Sequence, residues 1–298
     1  MTARPGDRVG MAILLSLLAL LLFDFMGLII KYLSPRYGAA ELSAYRNIFG
    51  VLPALIALWS STAWHNSGSI WRIRQWKLAT SRGLYVAVAQ FLFYSSLGAL
   101  AFATATSITY SNALFMTALA VPILGERVGM LRWAAVLVGF AGVLMVVGPS
   151  GDGVQWVALA PMGAAFLYAL AGVSARLFDS DVPSPLVNLY SVGVALIGSV
   201  ALALATGGFS PIQSWQDLVW IVAMGGFGGS AVLCLVISYR MTEQSNLAPF
   251  SYFGIPMAFV LGWLFFGEAP FGDLFPGVLL IVAGGLLVIW RERRMKGR

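Results

Sequence analysis

Two ionisable side chains lie inside apolar runs of this sequence, where a charge has few ways to be satisfied: Asp24 between Val9 and Leu33, and Arg46 within the run 41–59. A charge at such a depth costs at least a few kcal/mol unless it meets a partner or a watery cavity. At about 1.5 Å of rise per helical residue, the two reach similar depths on neighbouring helices. Two chemistries remain open for Asp24. It can hold a proton or a substrate ammonium inside a cavity, or it can be the buried partner of Arg46, with Lys31 two turns above on the same face. The expectation is a mixed role weighted toward structure, with the Asp24–Arg46 pair supporting the outer half of both helices.

A second group of residues suits an amphipathic ligand. Tyr85, Gln90 and Tyr94 fall on a third apolar segment, Thr106, Thr109, Tyr110 and Asn112 on a fourth, Tyr168 on a sixth, and Ser251 and Tyr252 on a ninth. Tyrosine joins an apolar ring to a polar tip, and polar groups in an apolar medium need another helix or a water-filled cavity. Any one of them can be explained as an interhelical hydrogen bond worth about 0.6–2 kcal/mol; only the group argues for a substrate pathway. Pro161, Pro249 and Pro256 sit in the same segments and are expected to kink them as hinges or to line the site.

Other chemistries find no residues to carry them. No nucleophile with a base, no paired carboxylates at one depth and no phosphate-binding loop with a lysine can be assembled, so no catalytic residue and no cofactor is expected. The single histidine, His65, and the single cysteine, Cys234, form no metal-ligating cluster. The net charge of +6 sits between or beyond the apolar runs and forms no stripe for nucleic acid.

The elements that position these residues are membrane helices. The chain is 59% hydrophobic and 10% charged, against about 25% charged in soluble domains. Ten segments are long enough to cross a bilayer core of about 30 Å: 10–32, 41–59, 80–101, 104–124, 130–148, 155–176, 184–206, 217–239, 245–266 and 273–290. Gly83 to Gly125, which spans most of the third and all of the fourth, carries no charge and must fold back near Phe102 to Thr104. With the N-terminus inside, every Lys and Arg except Lys31, Arg36 and Arg46 lies on the cytoplasmic side, so both termini are expected to be cytoplasmic. The tryptophans fall near helix ends and in loops, as headgroup anchors do.

The chain also contains one stretch twice. At an offset of 142 residues Tyr110 falls on Tyr252 and Gly125-Glu126 on Gly267-Glu268; at 145, Gly27 and Lys31 fall opposite Gly172 and Arg176. The first Gly-Glu turn is followed by Arg127 and Arg132, the second by no basic residue before Asp273. Five helices per copy enter the membrane in opposite senses, so the expected fold is all-α, with ten transmembrane helices in two inverted five-helix repeats, 10–148 and 155–290, and a basic cytoplasmic tail, 291–298.

The turns Pro122-Ile-Leu-Gly-Glu126 and Phe265-Phe-Gly-Glu268, with ten helices in two repeats, Lys31 closing the first helix and Arg46 in the second, resemble the drug/metabolite transporter superfamily and its EamA-type exporters. Within it the chain is similar to YddG-type aromatic amino-acid exporters. The resemblance implies a multi-pass protein of the bacterial inner membrane with a central cavity between the repeats. It further implies export of small amphipathic metabolites, most of all amino acids, by alternating access, with nucleotide sugars or other metabolites as the alternative substrates. Expected partners are the small-molecule substrate and the lipid bilayer. Proton coupling through Asp24 and a monomeric state are both compatible with this reading.

Overall fold

The computed structural model describes residues 5–69, 71–125, 129–147, 156–179, 181–241, 247, 250 and 252–296. Helix α1, Pro5–Leu33, is followed by α2, Ala39–Trp59, and by a short α3, Thr62–Asn66. Then come α4, Trp76–Ala99, α5, Phe102–Thr109, α6, Asn112–Leu124, and α7, Met130–Val147. The second half holds α8, Leu159–Ser174, α9, Ser184–Ala205, and α10, Trp215–Met241. It closes with α11, Gly254–Phe266, a single turn α12, Phe271–Leu274, and α13, Gly277–Lys296. Among the described residues, six helical stretches are long and apolar enough to span a bilayer, and two further apolar helices, Trp133–Val146 and Gly254–Phe266, are shorter. This is a multi-pass membrane protein.

The first half packs chiefly against the second. α1 runs along α10, α2 along α9 and α10, α4 along α8 and α9, and α7 along α13. The α7–α13 seam is backbone against backbone: a Cβ on Gly142 would lie 2.5 Å from the carbonyl oxygen of Gly277, and one on Gly284 would lie 2.7 Å from that of Ala135. Small residues allow this approach where apolar lipid tails supply little drive for helices to associate.

Three expectations change. The segment 104–124 is two helices, because the chain turns at Tyr110 and Ser111. Thr109 Oγ1 binds the Ala105 carbonyl and Ser111 Oγ the Ile108 carbonyl, so side chains compete for the backbone acceptors where Thr104, Thr106, Ile108 and Thr109 already weaken the helix. Pro161 and Pro256 are the third residues of α8 and α11, inside the first turn, where a missing N–H breaks no helical bond; neither kinks a helix interior. The expected tail begins as helix, since α13 continues to Lys296. Trp64 is a fourth departure of a milder kind: it is buried between Trp59 and Trp71, where an anchor would be open to headgroups. Pro249, Ser251 and Glu126 lie outside the described residues.

Both Gly-Glu turns have a common physical cause. Gly125 ends α6 and Gly267 ends α11, each at φ 67°, a left-handed cap that glycine reaches without a Cβ penalty.

Candidate functional site

The break after α5 and the start of α11 meet in the middle of the protein. Tyr252 and Phe253 form a turn ahead of α11, as Tyr110 and Ser111 do ahead of α6. The two turns touch: a Cβ on Gly254 would lie 1.7 Å from the Tyr110 hydroxyl, so the phenol seats against bare backbone. Discontinuous helices of this kind expose backbone groups at mid-membrane only where protein or a cavity covers them.

Among the described residues, six buried side-chain atoms have no hydrogen-bond partner: Asp24 Oδ2, Arg46 Nε, Thr104 Oγ1, Thr106 Oγ1, Ser107 Oγ and Tyr252 Oη. Most buried polar atoms in proteins are paired, which sets these side chains apart from the rest of the interior. Asp24 is 3% exposed and Arg46 7%. Tyr110 lies within Coulombic reach of Asp24, and Tyr94 and Tyr168 within that of Arg46. Met26 and Arg46 meet at one face of α10: a single Cβ on Gly228 would lie 2.6 Å from Met26 Sδ and 3.0 Å from Arg46 Nε.

The expected Asp24–Arg46 ion pair is not formed. Asp24 makes no ion pair among the described residues, and Arg46 spends one N–H, Nη1, on Asn47 Oδ1 at 3.0 Å. Helices α1 and α2 are each packed against α10, where Met26 turns toward Arg46; Asp24, two residues earlier and so about 200° round the helix, turns instead toward Tyr110. Asn47 belongs to a buried amide and hydroxyl cluster: Gln90 Oε1 accepts from Ser43 Oγ at 3.0 Å and Asn47 Nδ2 at 2.8 Å, and Asn47 also reaches Ser199. Gln90 therefore ties α4 to α2, Asn47 ties α2 on to α9 through Ser199, and Asn47, held by Gln90, orients Arg46. The expected place of Gln90 in a substrate pathway becomes a supporting one.

The other expected residues divide in the same way. Tyr94, buried on α4, and Tyr168, half-buried on α8, stand at the Arg46 side; Tyr110, Tyr252 and Thr106 stand at the Asp24 side or the helix break. Thr109 turns back onto its own helix, Asn112 is half-buried at the start of α6, and Tyr85 is half-buried about 14 Å before Tyr94 along α4, away from the group. A cleft lined by Arg46, Gly50, Pro53, Asn188, Val192 and Gly229 leads away from Arg46 with about 10 Å³ of free space, enough for a single water.

Lys31 leaves the expected network altogether. Its Nζ pairs with Glu268 Oε1 at 2.8 Å and donates to the Leu100 and Leu97 carbonyls at 2.6 and 3.3 Å, while Glu268 Oε2 accepts from the Phe102 N–H at 2.8 Å. One carboxylate thus staples the end of α1 and the α4–α5 link to the end of α11. Beside it Arg36 pairs with Asp217 at 2.6 Å, Tyr37 donates to the same carboxylate at 2.9 Å, and Glu41 accepts from Ser210. Sequence reasoning found Glu268 only as a turn marker. Its recurrence opposite Glu126, with Lys31 opposite Arg176, was the signal that a charge partner was wanted.

Residues 10–148 and 155–290 each match the EamA-like transporter family. Over 171 residues the chain is 30% identical to a riboflavin transporter of Rhizobium johnstonii, covering 57% of this chain and 56% of that protein. The chain thus aligns with little over half the length of that relative. An S-adenosylmethionine uptake transporter of Rickettsia felis is 24% identical over 90% of this chain and 88% of its own. Human solute carrier family 35 member G1 is 24% identical over 93% of this chain and 78% of its own. A crystal structure sharing 22% identity superposes with a TM-score of 0.65, covering 95% of this chain and 98% of the other, which is a likeness of fold. With both halves matched, the protein described here belongs to the EamA-like transporter family.

Proposed function

We propose that the protein is a secondary transporter that carries small amphipathic metabolites, amino acids including aromatic ones among them, across the bacterial inner membrane by alternating access. Ten spans in two inverted repeats would give inward-open and outward-open forms of similar energy from one packing scheme used twice. The observation that supports this reading is the contact of the two helix turns, where the Tyr110 hydroxyl seats on bare backbone at Gly254, next to Tyr252 and within reach of the buried Asp24. The Lys31–Glu268 staple then acts as the closed gate of the Lys31 end, taken as the outer face, with both termini cytoplasmic.

Export is the direction that the family resemblance suggests; a relative named for uptake makes the reverse a reading to test alongside it. The relatives named for riboflavin and S-adenosylmethionine likewise favour a second substrate reading, heteroaromatic metabolites larger than an amino acid. Counterflow in proteoliposomes preloaded with tryptophan, phenylalanine, riboflavin or S-adenosylmethionine separates these readings. Exchange of at least one of them is expected, and alanine at Tyr94, Tyr110, Tyr168 and Tyr252 together should abolish it. Full exchange by that quadruple variant would place the pathway elsewhere.

A further inference from the structure

Asp24 enters the folded protein without a counter-ion. It is 3% exposed, it makes no ion pair among the described residues, and its Oδ2 has no hydrogen-bond partner. We infer that Asp24 is a proton-binding site that gates the transport cycle: its carboxylate takes a proton from water while the site is open, and the halves close over it only in that neutral form. The assignment rests on the transport reading above and adds to it a second ligand, the proton.

The register of α1 against α5 sets what Asp24 faces. Glu268 joins Lys31 to the Phe102 N–H, and a Cβ on Gly27 would lie 2.7 Å from the Phe102 ring, so the end of α1 lies over the start of α5. Asp24 is about one turn back from Gly27, and Thr106 and Tyr110 are one and two turns on from Phe102, on the same faces as those two residues. The carboxyl therefore comes to the level of the Thr106 hydroxyl, with Tyr110 a turn beyond and within Coulombic reach. Thr106 Oγ1 is likewise buried without a partner. Both neighbours are hydroxyls, able to donate or accept but carrying no charge.

The cations on α1 and on the helices around it are engaged elsewhere. Lys31 is held by Glu268 and Arg36 by Asp217, while Arg46 donates to Asn47 and Arg82 to the Ala171 carbonyl and Ser191. The other titratable groups within the elements packed on α1 are phenols and a thiol: Tyr85 and Tyr94 on α4, Tyr110 after α5, Tyr252 ahead of α11 and Cys234 on α10. An ionised Asp24 would keep an uncompensated charge in an apolar interior each time the protein closed. The protonated acid is neutral and gains an O–H that a hydroxyl can accept. A metal cation would ask for several oxygens in place of its water shell, whereas a proton asks for one. The proton returns to water when the site reopens, whether the carrier is loaded or empty, so it sets the speed of exchange and supplies no driving force.

The test is counterflow by the full-length protein in a His65→Gln background, because histidine is the ordinary titrant between about pH 5 and 8 and His65 is the single histidine. Tryptophan, phenylalanine and riboflavin are the probes, with the pH equal on both faces and raised from about 6 to about 9, below the ordinary range of tyrosine and lysine. With Asp24 present the rate should fall, by about tenfold per pH unit once the protonated form is the minority. Asp24→Asn is permanently neutral at nearly the same shape, so its exchange should persist and stay level across the range. Infrared spectra of the purified protein should show the carbonyl stretch of a protonated carboxyl, and Asp24→Asn should remove it.

A structural carboxylate would behave in the opposite way, with Asp24→Asn melting lower and losing exchange at every pH. If Asp24→Asn fails to fold, Asp24→Glu keeps a titrating group and should move the midpoint of the fall; an unmoved midpoint would overturn the proton site. A level profile with Asp24 present, or the same fall in Asp24→Asn, would overturn it too and leave the transport reading standing. Absence of counterflow with every probe at every pH would remove both.

Discussion

At the Lys31 end, the halves of the chain are joined by charge on charge: Lys31 with Glu268, and Arg36 with Asp217. At the opposite end, hydrogen bonds join residues 71–82 to residues 171–191. Gln75 reaches the Leu177 carbonyl and Asp179, Tyr190 donates to the Trp71 carbonyl at 2.8 Å, and Arg82 binds the Ala171 carbonyl and the Ser191 hydroxyl. The difference is one of switching. A carboxylate shared among an ammonium and a backbone N–H is strong while dry and is lost as a unit once water enters, because Lys31, Phe102 and Glu268 all have ready water partners. The hydrogen bonds named at the other end, charged only at Arg82 and Asp179, are separate contacts that can exchange with water one at a time.

The sharpest way to break this comparison is Asp217→Ala. Asp217 is 1% exposed and receives both Arg36 and Tyr37, so its loss leaves two donors at a buried position, although Arg36 itself is partly exposed. A loss of about 2–3 kcal/mol is expected. Gln75→Ala, in the exposed contact of the other end, should stay within about 0.5 kcal/mol. Unfolding of both variants in the same detergent compares them directly.

The centre, between the two ends, is next. Gly254→Ala forces a methyl into the Tyr110 hydroxyl, an overpacking expected to cost about 1–3 kcal/mol and to depress transport. Tyr110→Ala in the same chain should restore stability without restoring transport, which counterflow and melting together would read.

Glu268→Gln keeps the shape of the staple and removes its charge. An effect of about 1–2 kcal/mol is expected for these partly exposed side chains, or roughly a tenfold shift toward the form open at the Lys31 end. Maleimide labelling of Leu97→Cys, in a Cys234→Ser background, should quicken accordingly; unchanged labelling would show that the staple does not close that end.

The smallest expected effect is alkaline. Burial, with the neighbouring Asp217 carboxylate, raises Tyr37 above its ordinary value of 10, opposed by its bond from the Gln213 N–H. The unfolded chain then loses this proton before the folded protein does. The contribution is therefore complete below about pH 10 and falls as pH rises toward the folded value. Tyr37→Phe should flatten the decline in melting temperature above pH 10.

The residues explain how much could be read in advance. Membrane helices, the repeated Gly-Glu turn and the fold-back between α4 and α5 follow from hydropathy and glycine chemistry, which are local. The break at Tyr110 was partly legible, in a run of Thr and Ile, but apolar composition masked it. Pairing was not legible: Asp24, Arg46 and Lys31 lie within 23 residues, yet their surroundings are set by α10 and α11, roughly 200 residues onward. Depth along a helix can be counted from the sequence, whereas the side of a neighbour to which a residue turns depends on packing that no local spacing encodes.

The central claim is that opening the Lys31 end is part of the transport cycle. Cysteines at positions 31 and 268 in a Cys234→Ser background, joined by a bismaleimide in proteoliposomes, test it, with the unjoined double variant as reference. The account predicts that cross-linked protein keeps or gains thermal stability and loses counterflow of whichever substrate the unjoined variant exchanges. Equal counterflow before and after cross-linking would contradict it.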